Sequence, residues 1–214
     1  MKERPILFSA PMVRALLDGS KTQTRRVCKQ ATGPSLSVGI DDDEPGVAAL
    51  SWLSGNGPGH DVHETVKKVR CPYGVPGDRL WVRETHAKII GQSGGWIETD
   101  HFATYTHGDR LGDTLGLKKK WTPSIHMPRA ASRIDLEVTG VRVERLQDIS
   151  EADARAEGAR ECDYASGREV LLAGASQRGS FVLHYRDIWE RINGLGSWAA
   201  NPWVWVVEFK RVRP

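Results

Sequence analysis

Cysteine is scarce in this chain: three in 214 residues, Cys28, Cys71 and Cys162, too scattered for a disulfide framework and without the close pair of a zinc knuckle. Such usage points to a reducing compartment, and a cytoplasmic location is expected. No run approaches the roughly 20 apolar residues that a membrane helix requires, so no span is expected. The opening stretch carries early charge and a short apolar run broken by Pro11, which does not read as a secretion signal. Walker, GxSxG and HExxH motifs are missing. His60 and His63 have ligand spacing but no third ligand nearby, so neither a metal nor a cofactor is expected. A dominant charge is missing too: the net value of +3 neither demands nor forbids a polyanionic partner. Acids bunch between Asp41 and Glu44; bases bunch at Lys21, Arg25 and Arg26, at Lys118, Lys119 and Lys120, and at Lys210, Arg211 and Arg213. The last two basic clusters read equally as a basic surface or as ordinary solvated charge.

What is present reads as one strand-dominated α+β domain with a few short helices. A strand over residues 5–8 meets Ser9-Ala10-Pro11, a good helix start, and Met12, Leu16 and Leu17 form a helical stripe that Gly19 ends. Residues 21–27 alternate and read as a strand. Residues 29–68 are rich in Gly, Pro, Ser and Asp, with apolar patches near Val47 and Leu53, and read as a long, partly mobile excursion. The Pro76-Gly77 turn delivers a strand over 79–85, and a hairpin is expected within 96–106, with a polar continuation over 108–120. Residues 121–133 read as an ordered loop. Ile134, Leu136 and Val138 alternate, and Val141 and Val143 resume on a shifted phase, which predicts a bulge near Gly140. Ser150 with Asp153 resembles a capping box, and Gly158 stops the short helix that follows. A helix over 179–192 carries Val182, Tyr185, Ile188 and Trp189 on one face, and residues 202–212 form a strong strand with Trp203, Trp205, Val207 and Phe209 on one side.

The richest candidate site is residues 19–26, GSKTQTRR. Lys21 follows a helix-ending glycine, where a cation complements the negative end of the dipole. Thr22, Thr24, Arg25 and Arg26 then crowd hydrogen-bonding and cationic groups onto a short strand, a pattern suited to an anion or a base edge. Glu157 lies in the last turn of the short helix, where a carboxylate opposes the dipole; it reads as an exposed residue or as a proton carrier. Glu84 at a strand end and His126 in its loop read either as site residues or as locally satisfied groups. At most one of Trp81, Trp121, Trp203 and Trp205 is expected on a pocket wall. On a straight strand Lys21 and Thr24 point to opposite faces, so they converge only where the backbone turns near Thr22.

Gly19-Ser20-Lys21-Thr22-Gln23-Thr24-Arg25-Arg26 resembles the ASCH-domain signature G-x-K-x-x-E-x-R, with Thr24 at the glutamate position. Threonine there is shared with the small bacterial N4-acetylcytidine amidohydrolases of that family. GDRLWV (77–82), LQDISEADARAEG (146–158) and WVVEFKRV (205–212) extend the likeness over about half the chain. The whole chain, with RPILFSAPM, CPYGVPGD, WTPSIHMPR and NPWVWVVEFKR, is similar to phage and prophage ASCH proteins of unassigned role. The resemblance implies a PUA-like β-barrel with flanking short helices over residues 1–214, large loop insertions at about 29–68, 91–132 and 161–180, and a cleft for a nucleoside or RNA. It also implies catalytic roles for Lys21, Thr24 and Glu157; Gly19, Arg25, Arg26, Glu84 and His126 stand beside them as candidate substrate contacts read from the residues. Amide hydrolysis of a modified nucleoside, a non-catalytic RNA-binding module and a ribonuclease are the three functions that follow.

Overall fold

The computed structural model describes residues 1–31, 37–41, 44–54, 63–90, 96–105, 120–160 and 180–212. Strand β1 (Glu3–Leu7) leads into α1 (Ala10–Leu17), which has proline in its first turn and turns Val13 and Leu16 inward. Gly19 adopts φ +81° just past the helix end, the left-handed conformation that costs glycine least. Strand β2 (Gln23–Val27) follows.

The segment read as an excursion contains a sheet of its own: β3 (Ser37–Ile40), β4 (Val47–Ser54) and β5 (His63–Arg70) form an antiparallel meander. One face of this sheet joins the core through Ala48, Leu50 and Val69. Val47, Ala48 and Leu50 of β4 are buried, whereas among the described side chains of β5 only Val69 is. A strand with so few inward apolar residues hides from a hydrophobic pattern.

Next come β6 (Arg79–Arg83), β7 (His86–Ile90) and β8 (Trp96–His101). The hairpin expected within 96–106 is displaced upstream: β8 pairs with β7, and residues 102–104 form a 3-10 turn. The predicted polar continuation falls mostly outside the described residues. Strand β9 (Asp135–Arg145) leads to α2 (Glu151–Ala156), where the Ser150 side chain accepts from the Asp153 amide, the predicted cap. Helix α3 (Phe181–Asn193) and β10 (Trp203–Val212) complete the chain.

The main sheet has the order β1-β6-β9-β10-β2; β1 and β6 are parallel and the other neighbours antiparallel. The bulge is present. Glu208 faces Gly140 and Phe209 faces Val138, which leaves Thr139 as the extra residue in β9.

Strand β10 is buried on both faces because the sheet is covered on both. Trp205, Val207 and Phe209 pack with Ile6, Leu80, Leu136 and the inner side of α1. Val204 and Val206 pack on the opposite side with Leu146, Ala154, Tyr185 and Trp189, under α2 and α3. The two ends of the sheet approach each other, since Arg26 of β2 donates to the Leu7 carbonyl of β1 at 2.6 Å. The architecture is therefore strand-dominated α+β, with a strongly curved main sheet.

The turn from α3 to β10 is held by Asn201, which takes φ +41° and whose Oδ1 accepts from the Gln147 amide at 2.9 Å. Gln147 Nε2 donates in turn to the Trp198 carbonyl at 2.9 Å. Asn201→Ala is expected to cost about 1–2 kcal/mol in chemical denaturation, because the acceptor is lost while the left-handed backbone remains. Asn201→Gly, which relieves the backbone term, is expected to lose less.

Candidate active site

The site begins where α1 stops. After Gly19, the Lys21 amide donates to the Ala15 carbonyl at 2.9 Å, and the Lys21 backbone forms a bridge with Glu157. The Thr22 amide donates to the Ala156 carbonyl at 2.8 Å, and its own carbonyl accepts from the Phe209 amide at 2.9 Å. Residues 21 and 22 thus run between the end of α2 and β10, and β2 starts only at Gln23. This is the backbone turn near Thr22 that convergence required.

Lys21 is enclosed, with no exposed side-chain surface. Its Nζ donates to Glu157 Oε2 and to the Glu157 carbonyl, both at 2.8 Å, and lies 5.6 Å from the centre of the Phe8 ring. Burial pushes the amine below its ordinary range, and the Glu157 charge opposes that shift. Glu157 is the C-cap of α2, and the next residue, Gly158, has φ +85°. A β-carbon on Gly158 would stand 3.0 Å from Ala15 Cβ and 3.4 Å from Lys21 Cβ. Glycine therefore serves both the backbone conformation and the close approach of α1.

Glu157 Oε1 faces a second cation, Arg25 Nη1, at 3.4 Å. Arg25 is buried on the α2/α3 side of the sheet; it also pairs with Glu144, Nε to Oε1 at 3.1 Å, and with Asp153, Nη2 to Oδ2 at 3.3 Å. Arg142 continues the network to Glu144 (3.0 Å), to Asp153 (2.9 Å) and to Glu208. Gln23 Nε2 donates to Asp153 Oδ1 at 3.1 Å. Burial works to raise the Asp153 carboxyl, but hydrogen bonds from Ser150 and Gln23 and the charges of Arg25 and Arg142 outweigh it, so it sits below the usual carboxylate range.

A small, partly open cleft lies over this network. Strand β2 is at the edge of the main sheet, so side chains from both of its faces reach the cleft: Thr24 and Arg26 from one, Arg25 from the other. Glu157 forms part of the floor, and α3 supplies Tyr185 and Trp189 opposite. The Thr24 hydroxyl has no protein hydrogen-bond partner among the described residues. Burial pushes the Tyr185 phenol well above its ordinary range, and the nearby Glu157 charge adds to the effect, so it remains a neutral donor.

Of the residues singled out from sequence, Thr24, Arg25, Arg26 and Glu157 line the cleft, and Lys21 lies against Glu157 without reaching the wall. Gly19 shapes the approach and does not line it. Glu84 lies elsewhere: it is buried in a two-pronged pair with Arg133, at 2.9 and 3.1 Å. His126 is exposed in the 3-10 turn Ser124–His126, away from the cleft. None of the four tryptophans considered lines it. Trp205 is core, Trp203 lies beneath Arg145 at 4.5 Å, Trp81 lies near Arg83 at 5.3 Å, and Trp121 meets Phe102 at 5.1 Å.

The tryptophan on the wall is Trp189, which the sequence places on one helix face with Tyr185. Glu144 and Arg142 were missed as well; their signal was opposite charges two residues apart inside an apolar strand. His60, Lys118, Lys119, Arg213 and Cys162 lie outside the described residues, as do most of residues 161–180. Among the described residues no group of His, Cys, Asp or Glu is placed to hold a metal ion, and no helix is long and apolar enough to cross a membrane. Comparison with protein-family models, with curated proteins and with solved structures found no match to this chain.

Proposed function

We propose that the cleft hydrolyses the amide of a modified nucleoside, of the N4-acetylcytidine type, on a PUA-like scaffold of the ASCH family. The observation that carries this reading is a single one: the Glu157 carboxylate, paired with a buried lysine, lines the same cleft as Thr24, whose hydroxyl has no hydrogen-bond partner among the described residues. A carboxylate and a hydroxyl donor in one cleft are the two groups that amide hydrolysis requires.

In this reading the planar base lies along the α3 wall beside Tyr185 and Trp189, with its acetyl carbonyl toward Thr24. Glu157 takes a proton from water as the water oxygen bonds to the carbonyl carbon. The Thr24 hydroxyl donates to the carbonyl oxygen as negative charge grows there. Glu157 then passes the proton to the exocyclic nitrogen as the carbon–nitrogen bond breaks, releasing acetic acid and the free amine. Lys21, enclosed behind Glu157, holds the carboxylate in place and shares its hydrogen bond through the cycle. Arg25 grips the other carboxylate oxygen.

The test is acetate release from N4-acetylcytidine by the wild type, Glu157→Gln and Thr24→Ala. Each variant is expected to lose about a hundredfold or more in kcat/KM. Wild-type release no faster than that of Glu157→Gln overturns the proposal.

A further inference from the structure

Charge in and behind the cleft is unevenly compensated. Lys21 is matched by Glu157, and Arg25 by Glu144, Asp153 and Glu157. Arg26 is different: among the described residues, it has no carboxylate partner within 4.0 Å. It is nevertheless held in place. One Nη donates to the Leu7 carbonyl at 2.6 Å, and the guanidinium lies over the Phe8 ring at 5.3 Å. A solvated surface arginine gains little from being fixed, because its charge is well served by water and its rotamers carry entropy. An arginine fixed by a carbonyl and an aromatic face, with its remaining N–H donors free of a counter-ion, is preorganised for an oxyanion.

Its place relative to the chemistry narrows the ligand. Thr24 and Arg26 are two residues apart on one strand and share a face, so their backbones are separated by about 7 Å. A group bonded to Arg26 is therefore on the same molecule as the group at Thr24 only if the ligand carries its anion at a distance from the reacting end. We propose that Arg26 anchors a phosphate of the ligand, so that the cleft takes a nucleoside phosphate in preference to a neutral nucleoside. This rests on the nucleoside reading of the cleft. Either a mononucleotide or a phosphodiester in an oligonucleotide supplies that chemistry.

The experiment is calorimetric titration of the full chain with inorganic phosphate, cytidine, cytidine 5′-monophosphate and a short oligocytidylate, using wild type, Arg26→Gln and Arg26→Lys. The monophosphate is expected to bind about tenfold or more tightly than cytidine. That advantage collapses in Arg26→Gln and is reduced in Arg26→Lys, which keeps the charge and loses the fork. Tighter, Arg26-dependent binding of the oligomer than of the monophosphate assigns the phosphate to a polymer. Equal affinity for cytidine and its monophosphate, an advantage that survives Arg26→Gln, or no binding by any phosphorylated ligand overturns the proposal. Two outcomes separate it from the hydrolase reading. Arg26-dependent binding of inorganic phosphate with no gain from the nucleoside keeps the anion anchor and removes the nucleoside; acetylcytidine hydrolysis without a phosphate preference does the reverse.

Discussion

Lys21→Met is expected to destabilise the fold by about 3–5 kcal/mol, the cost of leaving one partner of a buried ion pair uncompensated. The substitution removes both 2.8 Å contacts from Glu157, to its carboxylate and to its carbonyl. Arg25 at 3.4 Å then remains as the nearest cation, and it is already shared with Glu144 and Asp153. Methionine fills most of the lysine's space, so the loss measures the charge and not a cavity. Adding Glu157→Leu to Lys21→Met is expected to restore a large part of the stability, because neither partner is then left buried alone. Urea denaturation of the wild type, the two singles and the double closes this cycle. A Lys21→Met unfolding free energy within about 1 kcal/mol of wild type contradicts the enclosed geometry of the pair.

Arg25→Leu is expected to cost a similar 3–5 kcal/mol at neutral pH, and its second signature is a reversed pH slope. In the wild type, Asp153 is held below the usual carboxylate range. Its unfolded form binds a proton more readily, so its stabilising contribution is present above the ordinary carboxylate pKa of about 4 and is lost as pH falls through the lower folded value. Without Arg25, the carboxylates of Glu144, Asp153 and Glu157 share their buried surroundings with less positive charge. Burial then works against the ionised form of Asp153 with one fewer cation opposing it in the folded state. A group raised in the folded state contributes stability below its unfolded pKa and loses it as pH rises. The variant should therefore recover part of its loss between about pH 6 and pH 4, where the wild type gains nothing. Parallel stability curves for the two proteins over that range contradict the network.

Much of this architecture was legible in the order of residues. Ser150 and Asp153 announced α2, Gly19 and Gly158 marked helix ends, and the shifted alternation around Gly140 gave the bulge in β9. The failures have physical causes. Strand β5 buries only Val69 among its described side chains, so it carried no inward stripe; β8 found its partner upstream because pairing is a tertiary choice that one strand's pattern does not encode. Within the site, Lys21, Thr24 and Glu157 were named from the chain, yet their layering was not. That Lys21 lies behind Glu157 depends on Gly158 letting α1 come within a β-carbon's reach, a contact between segments far apart in sequence. Glu84 shows the opposite error: its strand-end position suggested solvent or a site, whereas its carboxylate is spent on Arg133.

Thr139, the extra residue in β9, acts as a change of phase between two halves of one strand. Before it, Leu136 and Val138 face the core shared with Phe209; after it, Val141 and Val143 resume on that side opposite Val207 and Trp205. Arg142 and Glu144 are thereby sent through to the other side, opposite Val206 and Val204, where Arg25 waits. Without the offset, an unbroken alternation would drive a guanidinium and a carboxylate into the apolar layer and leave two valines among the charges of the site. The ionic floor of the cleft thus depends on parity, on whether an odd or an even number of residues separates Val138 from Arg142.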